Sequence, residues 1–150
     1  MSTRVSEVAQ RILNTRVQYA WGGGHGAIPG PSQGLRDGGL ADFNGDYLKV
    51  GLDASGLVRW FVYLWTGDDA ADGNTMTQYA DSVPVPFEEA RPGDLFFPDS
   101  HNRGYVTVYL GGGTQLEIRK SGERVRVSPI STTGEFRRCV SVTDDIEVPV

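Results

Sequence analysis

Asp53-Ala-Ser-Gly56 stands where a glycine-rich stretch gives way to an apolar, helically spaced run, so it reads as the start of a helix. Asp53 is placed to cap that helix. A helix N-terminus stabilises negative charge and lowers the pKa of a thiol held there. Position 54 is therefore where such an arrangement would put a nucleophile. It holds Ala54, whose methyl group attacks nothing. By residue type alone, the four residues are an ordinary capped helix start.

Other reactive side chains are few. Ser55 follows position 54, but on a helix the next residue points about 100° away, and the sequence supplies it no obvious base. His101 lies four residues before Tyr105 in Ser100-His-Asn-Arg-Gly104 and reads as a solvated loop histidine. His25 lies in the glycine-rich stretch, where such a histidine is more often a polar loop residue than part of a groove lining. His25 and His101, with Asp37 and Asp99 nearby, lack metal-ligand spacing, so no metal and no cofactor are expected. Gly22-Gly-Gly24 follows neither the P-loop nor the dinucleotide pattern. The single cysteine, Cys139, lies in an apolar-flanked terminal strand and reads as a small core or edge residue. One cysteine excludes an internal disulfide.

These residues need elements to position them. Val5, Val8, Ile12 and Leu13 recur at helical spacing, with Ser6 as candidate N-cap. A second helix runs from Asp53 through Leu57, Val58, Phe61, Val62 and Trp65 to about Gly67, with an apolar face broad enough to be buried. Residues 75–81 suggest a short third helix. Between the first two lies a long glycine-rich loop over 22–52. Eleven of the 20 glycines fall between Gly22 and Gly56. Because this loop runs straight into Asp53, it is expected to border the groove. The second half turns to strands at 94–98, 105–110, 115–119, 124–127 and 137–142, with Gly111-Gly-Gly113 as a hairpin turn. The expected class is α+β, with N-terminal helices packed on an antiparallel sheet of about five strands.

Composition agrees with one globular unit over 1–150. A chain of 150 residues, 39% hydrophobic, can bury one core. A net charge of −5 argues against nucleic acid or an anionic membrane surface as main partner. No apolar run approaches the ~18 residues that span a bilayer, and residues 1–5 have no apolar h-region, so no signal peptide is expected here; the chain fits equally the mature part of a longer exported precursor.

Five ordered motifs, Tyr19-Ala-Trp-Gly-Gly-Gly24, Gly51-Leu-Asp-Ala-Ser-Gly-Leu-Val58, Thr77-Gln78, Arg91-Pro-Gly-Asp-Leu-Phe-Phe97 and Val106-Thr-Val-Tyr-Leu-Gly111, resemble the NlpC-type cell-wall peptidases. These are papain-like cysteine endopeptidases that cut peptidoglycan stem peptides, often after γ-D-glutamate. The resemblance covers about residues 5–142, and the glycine-rich insertion with Leu116-Glu117 is most similar to the mycobacterial Rip-type subgroup. It implies that Ala54 occupies the nucleophile position and Tyr105 the general-base position, while Glu117 keeps the third polar position. It also implies substrate-binding roles for Tyr19, Asp53 and Ser55, with Trp21 and His25 lining the groove.

A thiol must be deprotonated by a nearby base that later protonates the leaving amine. Tyrosine, with an ordinary pKa of about 10, is a poor base. The resemblance thus implies a non-catalytic stem-peptide binder, monomeric and extracytoplasmic, in the cell wall or secreted. Two other readings stay open: an active endopeptidase inactivated by Cys→Ala at 54, and a structural or interaction domain of a secreted or phage-tail assembly.

Overall fold

The computed structural model describes residues 3–99 and 104–140. His101, the chain beyond 140 and the last expected strand residues lie outside this range. Helix α1 (Thr3–Thr15) buries Val5, Val8, Ala9 and Ile12 on one face. Ser6, expected as its cap, lies inside it.

The segment expected as a long glycine-rich loop carries short elements. Strand β1 (Ser32–Gln33), helix α2 (Leu40–Phe43), a 3-10 turn at Asp46–Leu48 and strand β2 (Val50–Gly51) follow in order. β1 pairs antiparallel with β2. Asp37 explains part of this order: its carboxylate accepts the backbone N–H groups of Gly39, Ala41 and Asp42, which pins the start of α2. Asp46 fastens the segment to the body. It is fully buried and accepts from Trp21 N at 3.1 Å, Ser121 Oγ at 2.6 Å and Lys49 Nζ at 3.0 Å.

Helix α3 (Ala54–Thr66) is capped by Asp53, whose side chain accepts from Gly56 N, and ends at Gly67 in the left-handed region (φ 84°). Leu57, Val58, Phe61, Val62 and Trp65 are buried between α1 and the sheet. Helix α4 (Thr75–Ala80) falls within the range expected for a third helix and is capped by Asn74.

The sheet has six strands, not five: β3 (Ser82–Val85), β4 (Leu95–Phe97), β5 (Thr107–Gly111), β6 (Thr114–Glu117), β7 (Arg126–Pro129) and β8 (Glu135–Cys139). Their order is β3-β8-β4-β5-β6-β7, antiparallel throughout. The missed strand is β3. Its Pro84 argues against a strand, yet proline is tolerated where β3 lies, on an edge with β8 as its single partner. β5 begins two residues later than expected, so Tyr105 precedes the strand. β7 and β8 are likewise displaced by about two residues. Cys139 is a buried residue at the end of β8, the core rather than the edge of its two expected placements.

Candidate functional site

The site forms where the Tyr19–Gly24 stretch meets the N-terminus of α3. Tyr19 bridges Leu52 in parallel, Ala20 N donates to Leu52 O and Asp53 N donates to Gly23 O. Glycine is required for this approach: a Cβ built on Gly56 would lie 2.3 Å from Gly23 O, and one on Gly23 2.4 Å from Gly51 O. The glycines of two distant motifs thus let two backbones pack together. Gln78, buried, donates from Nε2 to Ser55 O and to Ala71 O at 2.9 Å each, which ties α4 to the start of α3.

Two adjoining cavities open over this junction. The larger, about 400 Å³, has Trp21, Leu35 and Met76 on its apolar side and His25, Asp53 and Ser55 on its polar side. The smaller, about 120 Å³, is lined by Tyr19, Ala54, Tyr105 and Arg119, among others. Trp21, Asp53, Ser55 and Thr75 line both. The glycine-rich segment borders the groove through Gly22, His25 and Leu35, as expected from its position before Asp53.

Seven of the eight residues singled out from the sequence line one or both cavities. The eighth, Glu117, stands behind Tyr105. Ala54 is buried in the first turn of α3, with its methyl group on the smaller cavity. Tyr105 Oη donates to Glu117 Oε1 at 2.5 Å, and Arg126 Nε donates to Glu117 Oε2 at 2.8 Å. Burial, then the bond to Glu117, pushes the Tyr105 phenol far above its ordinary range. Tyr105 is therefore a neutral donor whose proton is committed to Glu117. Burial pushes the Glu117 carboxyl up, but the hydrogen bonds from Tyr105, Ser128 and Arg126 outweigh it and hold the group below the usual range.

Tyr19 is half-buried, and its hydroxyl has no hydrogen-bond partner among the described residues. Burial, then the negative charge of Asp53, pushes its phenol up to about 12. Asp53 Oδ1 accepts from Gly56 N at 2.7 Å and from Ser55 Oγ at 3.1 Å, and His25 Nε2 lies 2.8 Å away. Asp53 Oδ2 has no partner among the described residues.

Ser55 departs from expectation. Sequence reasoning leaves it without a base, yet His25 Nε2 stands 3.0 Å from its Oγ. The contact does not make a nucleophile. In a serine triad the two imidazole nitrogens serve different partners, one accepting from serine and the other donating to the acid. Here Ser55 and Asp53 share Nε2. A nitrogen that donates to Asp53 has no lone pair for the serine proton, which Ser55 gives to Asp53 instead.

Arg119, Thr75 and Met76 were missed. Arg119 lies two residues beyond Glu117, the spacing that returns to one face of a strand, and that signal could have found it. It forms a two-pronged pair with Glu123 at 2.8 and 2.9 Å. Thr75 and Met76 have no comparable local signal, since α4 reaches the groove only through the tertiary fold. Among the described residues no cluster of His, Cys, Asp and Glu could hold a metal ion.

The profile of the NlpC/P60 family matches residues 16–144. The chain belongs to the NlpC/P60 family. The peptidoglycan endopeptidase RipA of Mycolicibacterium smegmatis is 35% identical over 119 residues, which are 79% of this chain and 21% of RipA. The peptidoglycan endopeptidase RipB of Mycobacterium tuberculosis is 36% identical over 125 residues, 79% of this chain and 44% of RipB. The chain thus spans about a fifth of RipA and under half of RipB. Its fold is similar to the solved structure of RipB, with TM-score 0.66 at 32% identity over 90% of this chain and 64% of that one. It is also similar to RipD of Mycobacterium tuberculosis, a non-catalytic NlpC/p60 domain protein adapted to peptidoglycan binding. There the TM-score is 0.65 at 28% identity, over 91% of this chain and 98% of that one. Beside these NlpC/P60 relatives, the α+β class with an antiparallel sheet stands as expected.

Proposed function

We propose that this chain is a non-catalytic domain that binds peptidoglycan stem peptides outside the cytoplasm. One observation carries the reading. Of the three positions that the family resemblance assigns to catalysis, one holds the methyl group of Ala54. A second holds Tyr105, a neutral phenol bonded to Glu117. A thiol peptidase needs a nucleophile and a group that accepts its proton, and neither side chain serves. Losing the nucleophile of a comparable triad lowers the rate by about 10⁶. Glu117 keeps the third position, but as the acceptor of a structural bond.

Binding does not depend on those groups, because ground-state contacts survive the loss of transition-state contacts. Tyr19 Oη and Asp53 Oδ2 lack partners among the described residues and line the cavities, while Trp21 offers an apolar wall. Ser55 and His25 complete the polar side. RipD offers a precedent among similar structures.

The test is sedimentation of the purified chain with insoluble peptidoglycan, alongside an assay on a γ-D-Glu-containing stem peptide. The reading expects co-sedimentation without cleavage. Failure to sediment, or cleavage by the chain as it stands, overturns it. Ala54→Cys alone is expected to remain inert, and Ala54→Cys with Tyr105→His to recover cleavage. Cleavage by Ala54→Cys alone would instead favour a peptidase lacking its nucleophile.

A further inference from the structure

The larger cavity has a polar end that is already occupied from within. His25 places Nε2 2.8 Å from Asp53 Oδ1 and 3.0 Å from Ser55 Oγ. Asp53 and Ser55 line this cavity with His25, as do Asn74 and Thr75. The imidazole is firmly held there. Arg59, buried on α3, donates from one guanidinium nitrogen to Gly24 O at 3.0 Å and to Gly26 O at 2.9 Å. Those carbonyls flank His25 in sequence. Arg59 is fixed in turn by a two-pronged pair with Asp69 at 2.8 and 2.9 Å. The remaining atoms leave a choice open: Asp53 Oδ2 and His25 Nδ1 both lack partners among the described residues.

We propose that His25 is a specificity-determining residue of the groove, its protonation deciding whether the polar end presents a net negative charge or a neutral ion pair. With neutral imidazole, Nε2–H donates to Asp53 and Nδ1 keeps a lone pair, so the end carries the charge of Asp53 and favours a cationic ligand group. With imidazolium, Asp53 is neutralised and Nδ1–H becomes a donor, so the cationic group loses its advantage.

The charged groups facing His25 among the described residues are Asp53, Arg59 and Asp72. The bond to Asp53 raises the imidazole pKa above its ordinary value. Burial and the positive charge of Arg59 oppose that rise, and Asp72 adds to it. The charge change therefore falls near or above pH 6.5.

The inference rests on the proposed stem-peptide site, and two peptides test it. One γ-D-Glu stem peptide keeps a side-chain alkyl amine, which stays protonated below about pH 10. The other has that amine acetylated. Affinities are measured by calorimetry from pH 5 to pH 8.5 for the unaltered chain and for His25→Gln, whose amide reaches Asp53 but does not titrate. The amine peptide is expected to bind about fivefold tighter at the upper end, the size of a partly exposed charge pair. The acetylated peptide, and both peptides on His25→Gln, should show flat profiles. A flat profile for the amine peptide on the unaltered chain, or the same slope in His25→Gln, overturns the role of His25 and leaves peptide binding standing. Absence of binding by either peptide at every pH overturns both.

Discussion

Replacing Tyr105 by phenylalanine removes one hydroxyl and keeps the ring. That hydroxyl donates to Glu117 Oε1 at 2.5 Å, and Glu117 is 3% exposed. A hydrogen bond to a charged acceptor contributes about 1.5–3 kcal/mol. Arg126 still holds Oε2, so the carboxylate is weakened rather than orphaned. The expected cost is about 2 kcal/mol. In a chain of this size that lowers the melting temperature by about 4–8 °C. Urea unfolding measures the cost, and a double-mutant cycle with Glu117→Gln isolates the pair, with an expected coupling of about 1 kcal/mol or more. The pH dependence has a definite sign. The Glu117 carboxyl lies below its ordinary value, so its stabilisation is present above about pH 4.3 and is lost as pH falls through the folded value. Tyr105→Phe should make that acid loss shallower. A cost under about 0.5 kcal/mol would refute the view that Tyr105 acts as a structural donor.

Three further outcomes follow from the geometry. Gly56→Ala improves helix propensity by up to about 1 kcal/mol, yet its Cβ would lie 2.3 Å from Gly23 O, so urea unfolding should show net destabilisation of about 1–3 kcal/mol. Asp46→Ala leaves Trp21 N, Ser121 Oγ and Lys49 Nζ without their shared acceptor. Limited proteolysis read by mass spectrometry should then cut faster within 22–52, and an unchanged cutting rate would show that Asp46 is not the anchor. The His25 imidazole is raised above 6.5 through Asp53, so its stabilisation is full below that pH and is lost as pH rises through the folded value. Between pH 6 and pH 8.5 the unaltered chain should therefore lose stability that Asp53→Asn does not, by chemical denaturation at each pH.

Local signals carried the elements that local forces decide. Asp53 and Gly67 mark the ends of α3, because capping involves residues three or four apart. The displaced strand boundaries and the missed β3 depend on pairing across the sheet, which no local window contains. The site divides in the same way. Ala54, Ser55 and Asp53 are neighbours in sequence and are readily grouped. His25 joins them across 28 residues, through carbonyls fixed by an arginine on α3. Its contact with Ser55 has no local pattern. Arg59 sits among apolar residues of α3, and no local pattern marks its role.

The polar atoms of the groove divide by whether the protein itself supplies their partners. Glu117 is satisfied by Tyr105 and Arg126, and Arg119 by Glu123. Those pairs stabilise the fold and offer a ligand little. Tyr19 Oη, Asp53 Oδ2 and His25 Nδ1 are groove atoms without partners among the described residues. All three belong to residues that line the cavities. A ligand that supplies partners to these atoms while covering Trp21 gains hydrogen bonds the free protein lacks. One that must displace Tyr105 from Glu117 breaks a charge-assisted bond worth about 1.5–3 kcal/mol. Binding is therefore expected to centre on the Tyr19–Asp53–His25 side and to leave the Tyr105–Glu117 pair closed. Isothermal titration of a stem peptide against Tyr19→Phe, Asp53→Asn and Glu117→Gln should rank the first two well above the third in lost affinity, and the reverse order would refute this division.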